Sequence, residues 1–92
     1  MEIRHIRYFL AVSEELNFTR AAEKLCIAQP PLSRQIQDLE AELGAKLFIR
    51  KPHALQLTEE GILFKQYASQ ILNLVTQSTE DIREIKKGLR GT

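Results

Sequence analysis

With 92 residues the chain makes one domain at most, near the lower end of sizes that bury an adequate core. It is 43% hydrophobic and 27% charged with a net charge of +1, an ordinary globular composition that by itself points to no polyanionic partner. One cysteine, Cys26, excludes an internal disulfide and fits a reducing compartment, and no signal peptide or bilayer-length apolar run is present, so a cytoplasmic protein is expected.

The first element is a helix over 3–16, where Ile3, Ile6, Phe9, Leu10, Val12 and Leu16 recur at helical spacing. Asn17 is a suitable N-cap for a short second helix that turns Phe18, Ala21, Ala22 and Leu25 inward. Its paired alanines leave room for another helix to cross closely. After the turn Cys26-Ile27-Ala28, a third helix opens on Gln29-Pro30-Pro31 and stops at Gly44. Proline is tolerated in a first turn, where amide hydrogens lack intrahelical partners. Leu32, Ile36, Leu39 and Leu43, spaced four, three and four, form its inner face. Gln29, Ser33, Arg34 and Gln37 face away, with Gln35 beside them and no acid before Asp38. Amides and guanidinium read base edges bidentately in a major groove, so this helix is a candidate DNA recognition helix. Helix, three-residue turn and helix make a helix-turn-helix, with Cys26 where many such turns carry glycine.

Charge is distributed unevenly. No acid occurs over 24–37 or over 43–58, and the second stretch holds Lys46, Arg50, Lys51 and His53. A near-neutral chain therefore still carries a local basic surface, and local potential governs phosphate binding. Residues 46–50 and 55–57 read as two short strands around an acid-free tip, Lys51-Pro52-His53-Ala54, which together form a wing. Thr58 then caps a long helix whose first turn holds Glu59 and Glu60, with Gly61 a blemish in it. Phe64, Ala68, Ile71, Val75, Ser78, Ile82, Ile85 and Leu89 repeat four-three along it as a heptad seam. Roughly thirty helical residues extend about 45 Å. A winged core cannot cover such a rod, so the seam is expected to pair with its copy in a second chain, parallel or antiparallel.

These residues resemble the amino-terminal domain of LysR-type transcriptional regulators along the whole chain. The resemblance rests on RHIRYFLAVSEELNFTRAAEKL, on QPPLSRQIQDLEAELGAKLFIR and on LTEEG at the start of the long helix. The wording AAEKLCIAQPPLSRQIQ is particularly similar to the benzoate- and muconate-responsive members. It implies a mostly α fold: a winged helix-turn-helix of three helices plus a two-stranded wing over 1–57, and a linker and dimerisation helix over 58–87. Residues 88–92 would begin a hinge to a carboxy-terminal effector domain that is absent here and would bind a small-molecule inducer. The implied function is sequence-specific binding of an interrupted palindrome in double-stranded DNA by a homodimer in the bacterial cytoplasm. Base contacts would come from Gln29, Pro30, Pro31, Ser33 and Arg34. Backbone contacts would come from Asn17, Thr19, Arg20, Gln35, Gln37, Arg50 and Lys51. Phe64, Ala68, Ile71, Val75, Ser78, Ile82 and Ile85 would form the dimer interface. At the wing tip this chain has His53 where many members carry arginine, which weakens the expected contact and gives it a possible pH dependence.

Rival classes fare poorly. Two distant histidines, one cysteine and scattered carboxylates offer neither metal-ligand spacing nor a nucleophile with its base, so no enzyme, metal or cofactor is expected in this fragment. A lone thiol without a second cysteine is no redox pair. The alternative is a helical protein-interaction or dimerisation module. A polar third-helix face argues against it, since protein-binding faces are apolar or aromatic at their centre.

Overall fold

Side-chain caps and left-handed residues mark most of the helix ends. A computed structural model describes residues 1–88. In chain order it holds α1 (Ile3–Glu15), α2 (Phe18–Leu25), α3 (Gln29–Leu43), β1 (Phe48–Lys51), β2 (Ala54–Leu57) and α4 (Glu59–Lys86). The Glu2 amide donates to His5 Nδ1 at 3.0 Å ahead of α1, and Asn17 Oδ1 accepts from the Arg20 amide at 2.9 Å at the start of α2. Leu16 and Cys26 end α1 and α2 in the left-handed region, with φ of 49° and 59°. Gly44 ends α3 at φ 69°, where a residue without Cβ is unstrained.

The core lies where α1, α2, α3 and the root of the wing converge. Phe9, Val12, Leu32, Ile36, Leu39 and Leu47 are its largest fully buried side chains. The four phenylalanines run through it as a chain of rings. Phe64 on α4 meets Phe9 on α1 edge-on at 5.0 Å, Phe9 meets Phe48 on β1 at 5.4 Å, and Phe48 meets Phe18 on α2 at 6.0 Å. Such pairs contribute ~0.5–1.5 kcal/mol each beyond their area burial. This chain of rings fixes the wing and α4 relative to the helix-turn-helix. Leu43 departs from expectation: at 38% exposure it lies at the rim of the core rather than in it.

The wing is antiparallel, with Phe48 opposite Leu57 and Lys51 opposite Ala54. Its first strand starts later than the 46–50 span expected, because other partners hold Lys46 and Leu47, and its second starts one residue earlier than the expected 55–57. Glu40 Oε2 accepts from the Leu47 amide at 2.7 Å, the Lys46 carbonyl accepts from Thr58 Oγ1 at 2.6 Å, and the Leu47 carbonyl accepts from the Thr58 amide at 3.0 Å. Lys51 and Ala54 belong to the ladder, so the tip shrinks from four residues to Pro52 and His53.

Thr58 also caps α4, its Oγ1 accepting from the Gly61 amide at 2.9 Å. Gly61 is no blemish. A Cβ at this position would lie 2.2 Å from the Leu47 carbonyl oxygen, so only glycine lets α4 approach the wing root. The first turns of α4 lie against the core, with Ala68 fully buried and Phe64, Ile71 and Leu72 packed on the cluster. Beyond them the helix projects, and the molecule measures 57 × 26 × 19 Å.

The amino-terminal end of the heptad seam is shared with the chain's own core: Ala68 is fully buried, so it faces no second chain, while Phe64 and Ile71 are half-buried, with Phe64 meeting Phe9 of α1 edge-on. Val75, Ile82 and Ile85 remain exposed, joined by Leu63, Tyr67 and Leu74, and Ser78 is exposed as well. Leu89 and the part of the expected hinge from residue 89 onward lie outside the described residues.

Candidate nucleic-acid interface

The outer surface of α3 follows from its register. Pro30, Arg34, Gln37 and Ala41 recur at helical spacing opposite Leu32, Ile36 and Leu39, and all four are exposed. Arg34 is exposed and makes no ion pair among the described residues, which leaves its five N–H donors without a carboxylate partner. Pro31 is exposed on the shoulder, while Gln29 is half-buried in the first turn. Gln35 does not join this stripe. It is half-buried, and its amide oxygen is enclosed without a hydrogen-bond partner among the described residues. Successive helical residues differ by about 100°, which carries Gln35 away from Arg34 and toward the domain.

Arg50 connects the parts of this surface. Its Nη2 donates to Ser33 Oγ at 3.2 Å, and its guanidinium carbon stands 4.5 Å from the centre of the Phe18 ring. One side chain from β1 thus touches the start of α2 and the first turns of α3. The stacked guanidinium keeps N–H donors to spare, so it is held in place and remains able to meet an anion. Ser33 is half-buried against Arg50 rather than standing alone on the outer face. Its hydroxyl accepts from Arg50 and retains a hydrogen to donate.

Asn17, Thr19 and Arg20 are exposed around the first turn of α2, where helix amides point outward. Between this turn and the wing lies an open cleft of about 370 Å³, lined in part by Asn17, Phe18, Thr19, Arg50, Lys51 and His53. No carboxylate lines it. The structure therefore assembles Pro30, Pro31, Arg34 and Gln37 on one helix, with Arg50 and Ser33 at its edge and Thr19, Arg20, Lys51 and His53 alongside.

Sequence reasoning missed Glu40, which is only 6% exposed. Besides the Leu47 amide, its Oε2 accepts from the Phe48 amide at 3.3 Å, while Lys46 Nζ lies 4.0 Å from Oε1. It ties the wing root to α3. The signal was present: Glu40 stands one helical turn beyond buried Ile36, where an acid needs buried partners.

Three helices with α3 presented outward and a two-stranded wing beside it define a winged helix-turn-helix domain. The profile described as "Bacterial regulatory helix-turn-helix protein, lysR family" matches residues 3–62. The chain belongs to this family. It is 54% identical over 93 residues to the HTH-type transcriptional regulator BenM of Acinetobacter baylyi, covering 98% of this chain and 31% of BenM. It is 51% identical over 90 residues to CatR of Pseudomonas putida, covering 98% of this chain and 30% of CatR. It thus spans about a third of the length of these curated relatives. Among solved structures, the BenM DBD in complex with catB site 1 DNA superposes with a TM-score of 0.92 at 55% identity, covering 96% of this chain and 98% of that one. The CbnR DBD–DNA complex superposes with a TM-score of 0.90 at 41% identity, covering 94% and 99%. No helix among the described residues is long and apolar enough to cross a membrane.

Proposed function

We propose that this chain is the promoter-recognition part of a transcriptional regulator, binding double-stranded DNA sequence-specifically with α3 in the major groove. The observation that carries this reading is the unpaired Arg34 on the exposed stripe of α3, with Arg50 locked beside it. A bidentate fork from Arg34 to guanine discriminates by ~1–3 kcal/mol, and Gln37 and Gln29 add amide donors and acceptors. Arg50, Lys51, Thr19 and Arg20 meet phosphates, which fix register and carry the salt dependence. The relatives solved as DNA complexes support the DNA-binding reading, since this chain covers nearly all of each.

The chain acts as a homodimer on an interrupted palindrome, through the part of α4 that its own domain leaves bare. Leu63, Tyr67, Leu74, Val75, Ser78, Ile82 and Ile85 line one exposed side of α4. Glu59 and Glu60 open α4, and Arg83 and Lys86 close it. An antiparallel pair opposes the two helix dipoles, whereas a parallel pair aligns them and brings Glu59 and Glu60 of both copies together. An inducer-binding domain elsewhere in the regulator completes the proposal.

Fluorescence anisotropy on an interrupted palindrome and on the same bases scrambled tests this reading. Tighter binding to the palindrome, with two chains per duplex, is expected. No binding to either duplex at low salt leaves the rival, a protein-interaction module.

A further inference from the structure

We propose that the cleft between the wing and the start of α2 seats a phosphodiester at which His53 takes up a proton, making DNA binding tighter as pH falls. This inference rests on the DNA-binding reading above and adds a proton to it.

The geometry is specific to a short, fixed wing. Because Lys51 pairs with Ala54, His53 sits in a two-residue turn whose reach is set by the ladder below it. The ring is exposed at the mouth of the cleft, with no partner among the described residues that would hold it away. β1 contributes Arg50 and Lys51 to the cleft, and both are permanent cations at neutral pH. The α2 side contributes Asn17, Phe18 and Thr19, and β2 contributes Ala54 and Leu55, none of which is charged. From the end of α1 only Leu16 lines the cleft, and the preceding Glu15 faces Lys24 Nζ at 3.8 Å. No carboxylate is therefore present to serve as counter-ion to an imidazolium.

That charge inventory makes His53 responsive to what enters. The cleft is lined by Arg50 and Lys51 and by no carboxylate. A phosphodiester supplies the missing negative charge and an oxygen acceptor. Like charges disfavour the charged form of a side chain and opposite charges favour it, so filling the cleft shifts histidine toward imidazolium. Histidine is the side chain that makes this change between pH 5 and 8; arginine at the same place has no proton to exchange.

The test is the dissociation constant for the palindromic duplex at about pH 6, 7 and 8, at constant ionic strength, for the unmodified chain, His53→Ala, His53→Arg and His5→Ala. One linked proton gives at most a tenfold change per pH unit, and we expect roughly three- to tenfold tighter binding per chain from the highest pH to the lowest. His53→Ala and His53→Arg should both be flat across this range, with His53→Arg the tighter at the highest pH. His5→Ala controls for the other histidine, which caps α1 through Nδ1, and should keep the slope. Calorimetry in two buffers of different ionisation enthalpy should register proton uptake on binding that His53→Ala abolishes. Equal affinity at every pH, or a slope that survives in His53→Ala, overturns the proton linkage and leaves DNA binding standing. Absence of binding at any pH overturns both.

Discussion

Glu40 carries the most consequential structural prediction, because a buried carboxylate holds the wing to the recognition helix. Glu40→Ala leaves the Leu47 and Phe48 amides without their acceptor at a place where water hardly reaches. A buried donor left unsatisfied costs ~1–3 kcal/mol. The 2.7 Å bond to Leu47 belongs near the upper end and the 3.3 Å bond to Phe48 near the lower. Together they give a loss of about 3–4 kcal/mol, a large share of the ~5–15 kcal/mol typical of a small domain. Glu40→Gln keeps an acceptor of nearly the same shape and loses only the charge assistance, which costs about 1 kcal/mol. Urea unfolding followed by far-UV circular dichroism measures both losses, provided the slope with denaturant is unchanged. The reasoning is refuted if Glu40→Ala lies within about 0.5 kcal/mol of the unmodified chain, or if Glu40→Gln costs as much as Glu40→Ala.

Three further substitutions address other joints of the fold, one addresses self-association and one addresses the DNA interface. Gly61→Ala should destabilise by ~1–3 kcal/mol or more through the clash with the Leu47 carbonyl, read as a fall in melting temperature. Cys26→Gly should stabilise by about 1 kcal/mol, because glycine relieves a left-handed residue whose side chain is exposed; an unchanged urea midpoint would contradict this. Ile82→Glu should lower self-association in sedimentation and make the melting temperature less dependent on protein concentration, whereas Ala68→Glu should unfold the chain by forcing a charge into the core. Arg50→Ala should weaken palindromic and scrambled DNA alike and reduce the salt slope by about 1.

Much of this architecture was legible because strong local signals agreed with the fold. Asn17, Thr58 and the paired prolines marked helix starts, and the spacing of Leu32, Ile36 and Leu39 behind Arg34 assigned the inner face of α3, with Leu43 falling outside it. What escaped was decided by contacts between elements distant in sequence. The seam of α4 reads the same whether its residues meet α1 or a second chain, and only the packed structure shows Ala68 fully buried in the chain's own core. Gly61 looked like a fault until the Leu47 carbonyl was seen beside it. The strand boundaries shifted because Glu40 and Thr58 claimed the backbone groups of Lys46 and Leu47. At the interface, residue types announced a DNA-reading face, but helical register alone did not reveal that Arg50 would engage Ser33 and Phe18.

The claim that α3 reads sequence is tested most directly with Arg34→Ala, titrated by anisotropy on palindromic and scrambled duplexes at several salt concentrations. The account predicts a loss of ~1–3 kcal/mol per chain on the palindrome, little change on scrambled DNA, and relaxed preference at one base pair in each half-site. Equal losses on both duplexes, or no loss on the palindrome, would contradict it.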